Sequence, residues 1–290
     1  METTKKLISA FILSVIFIAN LQAQNTPKTN LWKIEGDSIK TSYVFGTIHV
    51  LPQKDFKITE KLQKAFDDSN KIVLEVDMAD ANFPTDALKS SLLKEGELLS
   101  SFMDEKEYKL LDNYLKENSK VSLEVFNKFK PFALSSLISM ATYKGEPMAS
   151  YEVAFVRMSK MANKEMDGLE TIADQIKAID SKSYEAQLDD FIETIENPGN
   201  NKILYKKILN LYLTEDVDGM YENMKEFMNN DAKTTKIFFD DRNIKWIPKF
   251  AEYSKEETVF YAVGAGHLGG NNGLLNLLKK AGYTVTPLFN

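Results

Sequence analysis

The chain of 290 residues contains two histidines, and both close the same short pattern. His49 ends Gly46-Thr47-Ile48-His49, and His267 ends Gly264-Ala265-Gly266-His267. Each pattern follows an apolar, β-prone run and precedes a segment with helical spacing. Glycine at a strand end permits positive φ and close backbone approach, so the chain can turn there and present the histidine at a sheet edge, where α/β ligands bind. Neutral imidazole suits Zn, Co, Mn or Fe as a ligand, and it also carries protons near neutral pH. A lone histidine of this kind is more simply a packed, hydrogen-bonded residue. Two delivered by matching turns point to a metal or acid–base site built from two related halves.

The chain has no Cys, so a metal must be held by His, carboxylate or water. Glu75 ends the apolar run Ile72–Leu74 and opens the acidic group Glu75, Asp77 and Asp80. A glutamate that interrupts a buried strand is costly unless paired or metal-bound. His49, His267 and Glu75 would form a two-histidine, one-carboxylate set; alternatively Glu75 is the general base, or a strand-end acid facing solvent. Glu170, in Gly168-Leu169-Glu170-Thr171, is either a second catalytic carboxylate or a charge at the start of the helix Thr171–Ala178; Asp167 is a weaker candidate. Arg242, beside Asp240 and Asp241, is a surface ion-pair partner or, if it lies in a cleft, an oxyanion or carboxylate clamp. The Gly-rich stretch Gly266–Gly270 could cradle an anion but matches no nucleotide fingerprint, and the chain has no GxSxG, HExxH or P-loop.

Strand–GxxH–helix–strand occurs near each end. Leu31–Ile34 and Thr41–Phe45 read as strands, Thr59 caps a helix through Phe66, and Lys71–Val76 is a buried strand. Near the other end, Thr258–Val263 is a strand, Gly273–Ala281 a helix stopped by Gly282, and Thr284–Thr286 a closing strand. Residues about 85–250 read as mostly helical, over Glu105–Glu117, Pro131–Tyr143, Tyr151–Ala162, Tyr184–Glu196, Asn201–Leu213 and Val217–Met228, with a strand-like break at Lys164–Glu170. Met220, Met224 and Met228 recur at packing intervals. The expected fold is α+β, with a mixed central sheet built from both ends of the chain and a large helical insertion between them.

Residues 1–23 read as a secretory signal peptide, with Lys5 and Lys6, the uncharged run Leu7–Leu21 and a small residue, Ala23, at the cleavage position. A single domain over 24–290 is then expected, exported to a periplasm or the exterior with no stable membrane anchor. Loss of Lys5, Lys6 and Glu2 moves the net charge from −6 to −7, and such an acidic surface argues against a nucleic-acid partner.

Taken in order, Tyr43–Val50, Val73–Asp77, Gly168–Thr171 with Gln175, Asp241–Asn243 with Trp246, and Val263–Gly270 resemble the TraB/PrgY/GumN family, which includes the Tiki metalloproteases. The resemblance runs from about Trp32 to Leu288. It implies that His49, His267, Glu75 and Arg242 correspond to the family's paired GxxH motifs, glutamate and arginine. It also implies a divalent-metal-dependent protease, since Tiki relatives work with Mn or Co near the N-terminus of a secreted signalling protein, while other members are linked to shutting down peptide pheromones. The chain has no Cys, unlike Tiki proteins, and no C-terminal membrane anchor is expected. The expected activity is hydrolysis of a peptide or protein substrate at a site holding Mn, Co or Zn through His49, His267 and Glu75, with Glu75, Arg242 and Glu170 in catalysis. The rival readings are sequestration of a peptide or small molecule without turnover, and hydrolysis of a non-peptide ester.

Overall fold

The computed structural model describes residues 28–135, 138, 146–228 and 230–289; the predicted signal peptide lies outside them. The strands are β1 (Leu31–Gly36), β2 (Ile39–Thr47), β3 (Leu51–Pro52), β4 (Lys71–Val76), β5 (Met148–Ala149), β6 (Glu165–Glu170), β7 (Val259–Gly264) and β8 (Thr284–Pro287). The helices are α1 (Glu60–Asp67), α2 (Phe83–Ser91), α3 (Glu105–Ser119), α4 (Tyr151–Ala162), α5 (Ile172–Ile179), α6 (Tyr184–Glu196), α7 (Pro198–Leu213), α8 (Val217–Phe227), α9 (Ala232–Thr235), α10 (Asp241–Tyr253) and α11 (Leu274–Lys280). The expected helix at Pro131–Tyr143 begins as a 3-10 turn over Pro131–Leu134, and most of its remainder lies outside the described residues.

Six strands form one mixed sheet in the order β6-β4-β7-β2-β1-β8. β6, β4, β7 and β2 run parallel, while β1 is antiparallel to both β2 and β8. The chain's last long strand, β7, therefore sits between two strands from its first quarter. Its sequence Val-Phe-Tyr-Ala-Val is apolar throughout because both faces are covered. Phe260 and Ala262 face a core shared with α1 and α4, whereas Val259, Tyr261 and Val263 face Trp246 and Phe250 of α10 and the leucines of α11. Alternation along a strand thus sorts the two faces. The β2→β4 and β7→β8 connections travel in opposite directions across the sheet and place α1 and α11 on opposite faces, as a common crossover hand requires.

The middle of the chain is less uniformly helical than its periodicity implies. Its strand-like break is β6, an edge strand parallel to β4, and β5 pairs with β3 in a separate two-stranded ribbon. α4 packs on the main sheet through Tyr151 and Phe155, while α3 and α6 close a separate leucine-rich core beside it. Met220 is buried in the sheet core and Met224 lies against Gly266, so packing accounts for both.

The glycines of the two motifs act through close approach and not through positive φ. Gly264 has φ −52°, and the positive-φ glycines among the described residues are Gly96, Gly270 and Gly282. A Cβ on Gly46 would lie 3.1 Å from the Ala265 Cα, so this glycine lets one motif press against the other. Gly269 and Gly270 are pressed against α8, and the Gly270 N–H is taken by Asp218 Oδ1; close packing of helix and turn explains the Gly-rich stretch.

A candidate metal and catalytic site at the carboxyl edge of the sheet

Because four neighbouring strands run parallel, their carboxyl ends open on one edge, the usual place for an α/β ligand site. His49 follows β2, Glu75 lies near the end of β4, Glu170 ends β6, and Gly264 ends β7 three residues before His267. In the β2–β7 register Thr47 stands beside Gly264. A Cβ built on Gly264 would lie 3.3 Å from Glu75 Oε1, 3.8 Å from His49 Nε2 and 3.8 Å from His267 Cδ2. The missing side chain of Gly264 thus leaves a cradle bordered by all three predicted ligands.

His267 is 5% exposed and its ring is held between Trp246 and Phe239. Asn243 donates through Nδ2 to the carbonyls of His267 and Asn272, which turns its Oδ1 toward His267 Nδ1 at 2.7 Å. Nδ1 therefore carries the proton and Nε2 keeps its lone pair, which accepts from Arg242 Nη1 at 3.2 Å. Burial pulls the His267 pKa down to about 3, with Arg242 and His49 assisting against Glu75, so the imidazole is neutral.

Arg242 enters from the first turn of α10. A π-turn over Lys236–Asp240 precedes that helix, and Arg242 Nη1 donates to the Phe238 carbonyl within it. Such widened turns recur at functional sites. Nη2 bridges Glu75 Oε2 and Glu170 Oε1, each at 2.6 Å, and Nε is shared by both Glu170 oxygens. Trp246 Nε1 also donates to Glu170. Glu75 takes the Gly264 N–H on Oε1 at 2.8 Å and Gln175 Nε2 on Oε2 at 2.9 Å. Burial opposes the Glu75 charge, but His267, Arg242 and His49, with the Gly264 N–H, outweigh it and hold the pKa at about 2. Glu170 is displaced the other way: burial raises its pKa against the pull of Arg242.

These contacts show which partners Glu170 and Arg242 take. The cap of α5 is Thr171, whose hydroxyl accepts from the Asp174 N–H, while Glu170 turns to Arg242. Arg242 ignores its aspartate neighbours, since Asp241 pairs with Lys236 and Asp240 accepts from Asn272. Asp167 pairs with Lys71 and accepts from Tyr253 and from the Gly168 N–H.

His49 reaches the cradle from the opposite face of the sheet, in the loop after β2. Its Nδ1 is 2.9 Å from Glu152 Oε1, in the first turn of α4. Crowding by the site opposes its charge, yet Glu152, and Glu75 behind it, raise the pKa to about 9. Burial likewise opposes the Glu152 charge, but His49, Thr47 and Ser150 hold its pKa at about 2. Glu152 and Asn243 went unselected in the sequence. Asn243 adjoins the candidate Arg242, but nothing in the spacing separates Glu152 from other helix-start acids.

The donor set suits a divalent metal. Each imidazole has an oxygen acceptor at Nδ1, so Nε2 is the atom that would meet an ion, once His49 gives up the proton its raised pKa retains and His267 leaves Arg242; Glu75 adds an ionised oxygen beside them. It is not preassembled, because His267 Nε2 is taken by Arg242 and no group of three or more His, Cys, Asp or Glu among the described residues is arranged to hold an ion. Gly264→Ala tests the cradle. Its backbone conformation suits alanine, so the thermal midpoint is expected to move by only a few degrees. Metal affinity and any hydrolysis are expected to fall by at least about tenfold, read by calorimetry and turnover.

Among the described residues, no helix is long and apolar enough to cross a membrane. No solved structure matches the chain. It is 22% identical to Metalloprotease TIKI1 of Xenopus tropicalis, in an alignment covering 88% of this chain and 60% of that relative, so the chain spans about three-fifths of the relative's length. The sequence signature of the TraB/PrgY/gumN family matches residues 30–287, nearly all of the paired-motif sheet and its helices, and this chain belongs to that family.

Proposed function

We propose that the protein is an exported metal-dependent peptidase. The observation that carries this reading is the convergence of His49 Nε2, His267 and the buried Glu75 on the space above Gly264, beside the fixed cation Arg242. The relationship to a metalloprotease supports it. His49 and His267 hold the ion, with Glu75 as a third ligand or as the base. A bound divalent metal supplies Lewis acidity that polarises a carbonyl and acidifies water.

The chain's own groups do the rest. Glu75, in its base role, orients the attacking water and accepts its proton, then returns it to the leaving amine. Arg242 offers the carbonyl oxygen the Nη1 N–H that His267 Nε2 releases on turning to an ion, as negative charge develops there. Glu170, Trp246 and Phe238 hold the guanidinium in place, so little reorganisation accompanies the reaction. A cavity of about 240 Å³ beside Glu170 lies between β4 and β6 and is lined by Val76, Phe83 and several aspartates, with none of His49, His267, Glu75 or Arg242 on its wall.

The test is reconstitution of the mature chain, purified without chelator, in turn with Mn, Co and Zn. About one ion per chain and cleavage of members of a peptide library are expected, with chelator abolishing both. Intact peptides alongside retained ligand would move the reading to sequestration. Turnover of an ester with no peptide cleaved would make the enzyme an esterase.

A further inference from the structure

We propose that Glu152 is the positioning residue for His49: its carboxylate, fixed by Thr47 and Ser150, grips the imidazole through Nδ1 and turns Nε2 into the site. This rests on the reading of His49 as a metal ligand.

The two histidines are alike in motif and unlike in surroundings. His267 is walled in by aromatic rings, whereas the His49 side chain is 69% exposed in a loop. An exposed ring free to rotate would present either nitrogen. Here the ring is hydrogen-bonded to Glu152. That carboxylate is only 13% exposed and is itself immobilised: Thr47 Oγ1 donates to Oε1 at 2.6 Å and Ser150 Oγ to Oε2 at 2.8 Å. An ionised carboxylate only accepts, so His49 carries a proton on Nδ1 in either charge state, and Nε2 is the nitrogen that gives up its proton to an ion. The arrangement is the carboxylate–histidine pairing that orients ligating imidazoles.

Thr47 is the second residue of the first GxxH motif, so its hydroxyl acts on the histidine two places on, through a glutamate 105 residues away. The second motif has Ala265 at that position, with no hydroxyl, and Asn243 supports its histidine instead. A purely architectural role for Glu152 does not need His49, because Thr47 already ties the carboxylate of α4 to β2.

The experiment is zinc titration of the metal-free mature chain by calorimetry, with E152A, E152Q and H49A beside wild type. Gln can keep an oxygen on Nδ1 and Ala cannot. E152A is expected to weaken zinc binding by about tenfold to a hundredfold, and E152Q to restore most of it. A merely structural glutamate would not show that rescue at an unchanged melting temperature. If E152A fails to fold, Thr47→Val carries the test, with a loss of about threefold expected from the missing hydrogen bond. Wild-type affinity in E152A, or in Thr47→Val where E152A does not fold, overturns the proposal while H49A still loses zinc. If wild type takes up no zinc, or H49A binds it equally well, the metal reading falls and this inference with it.

Discussion

His49→Ala and His267→Ala are each expected to lower any hydrolysis by roughly three orders of magnitude or more, with the second costing more stability than the first. Both remove one of the two nitrogens directed at the cradle, and neither neighbour can replace it: Glu152 is held by Thr47 and Ser150, and Asn243 by two backbone carbonyls. The stabilities diverge because the rings sit differently. Removing the exposed His49 ring takes the cationic partner from Glu152 but leaves it two hydroxyl donors, so the loss is expected to be about 1 kcal/mol. Removing His267 empties a space between Trp246 and Phe239 and deprives the Asn243 Oδ1 of its donor, a loss of about 2–4 kcal/mol. Turnover with Mn, Co and Zn, together with urea unfolding, reads both effects. Undiminished hydrolysis in either folded variant would remove that histidine from the mechanism.

Arg242→Ala is expected to lose activity and about 3–5 kcal/mol of stability, with the stability loss largest near neutral pH. One guanidinium bridges two carboxylates that are nearly inaccessible to water. Without it, Glu75 keeps Gln175 and the Gly264 N–H, and Glu170 keeps Trp246, but two buried negative charges face each other. The sign with pH follows. The folded-state pKa of Glu75, about 2, lies below the ordinary carboxylate range, so its contribution is present above that range and is lost as pH falls toward 2. In the variant the carboxylates take up protons more readily, so the gap from wild type should narrow as pH is lowered from 7 to about 4.5. Urea melts at the two pH values measure this. A pH-independent gap would mean that lost packing against Trp246, and not charge, accounts for the change.

Much of the frame was legible because it depends on local patterns. The runs at β4 and β7 are apolar throughout, since parallel strands buried on both faces have no solvent side. Tyr151–Ala162 and Tyr184–Glu196 declare themselves by helical periodicity, with a serine N-cap before each. The middle was harder: β5 has two residues, too few for any period to register, and β6 is interrupted by polar residues, as an edge strand permits.

The sequence by itself determined the chemical inventory. It holds two imidazoles and no thiol, a glutamate placed where an apolar strand should continue, and glycines that allow the two motifs to touch. The family follows from the same residues in the same order. Only the tertiary structure decided which groups serve which histidine. The insertion of β7 between β2 and β4 brings His49, Glu75 and Gly264 to one point, and the helices on opposite faces then supply Glu152 from one side and Asn243 and Arg242 from the other. Strand order and face depend on contacts between residues a hundred or more positions apart, and local periodicity carries no record of them. A glutamate in the first turn of a helix looks the same whether it meets solvent or, as Glu152 does, an imidazole 103 residues away.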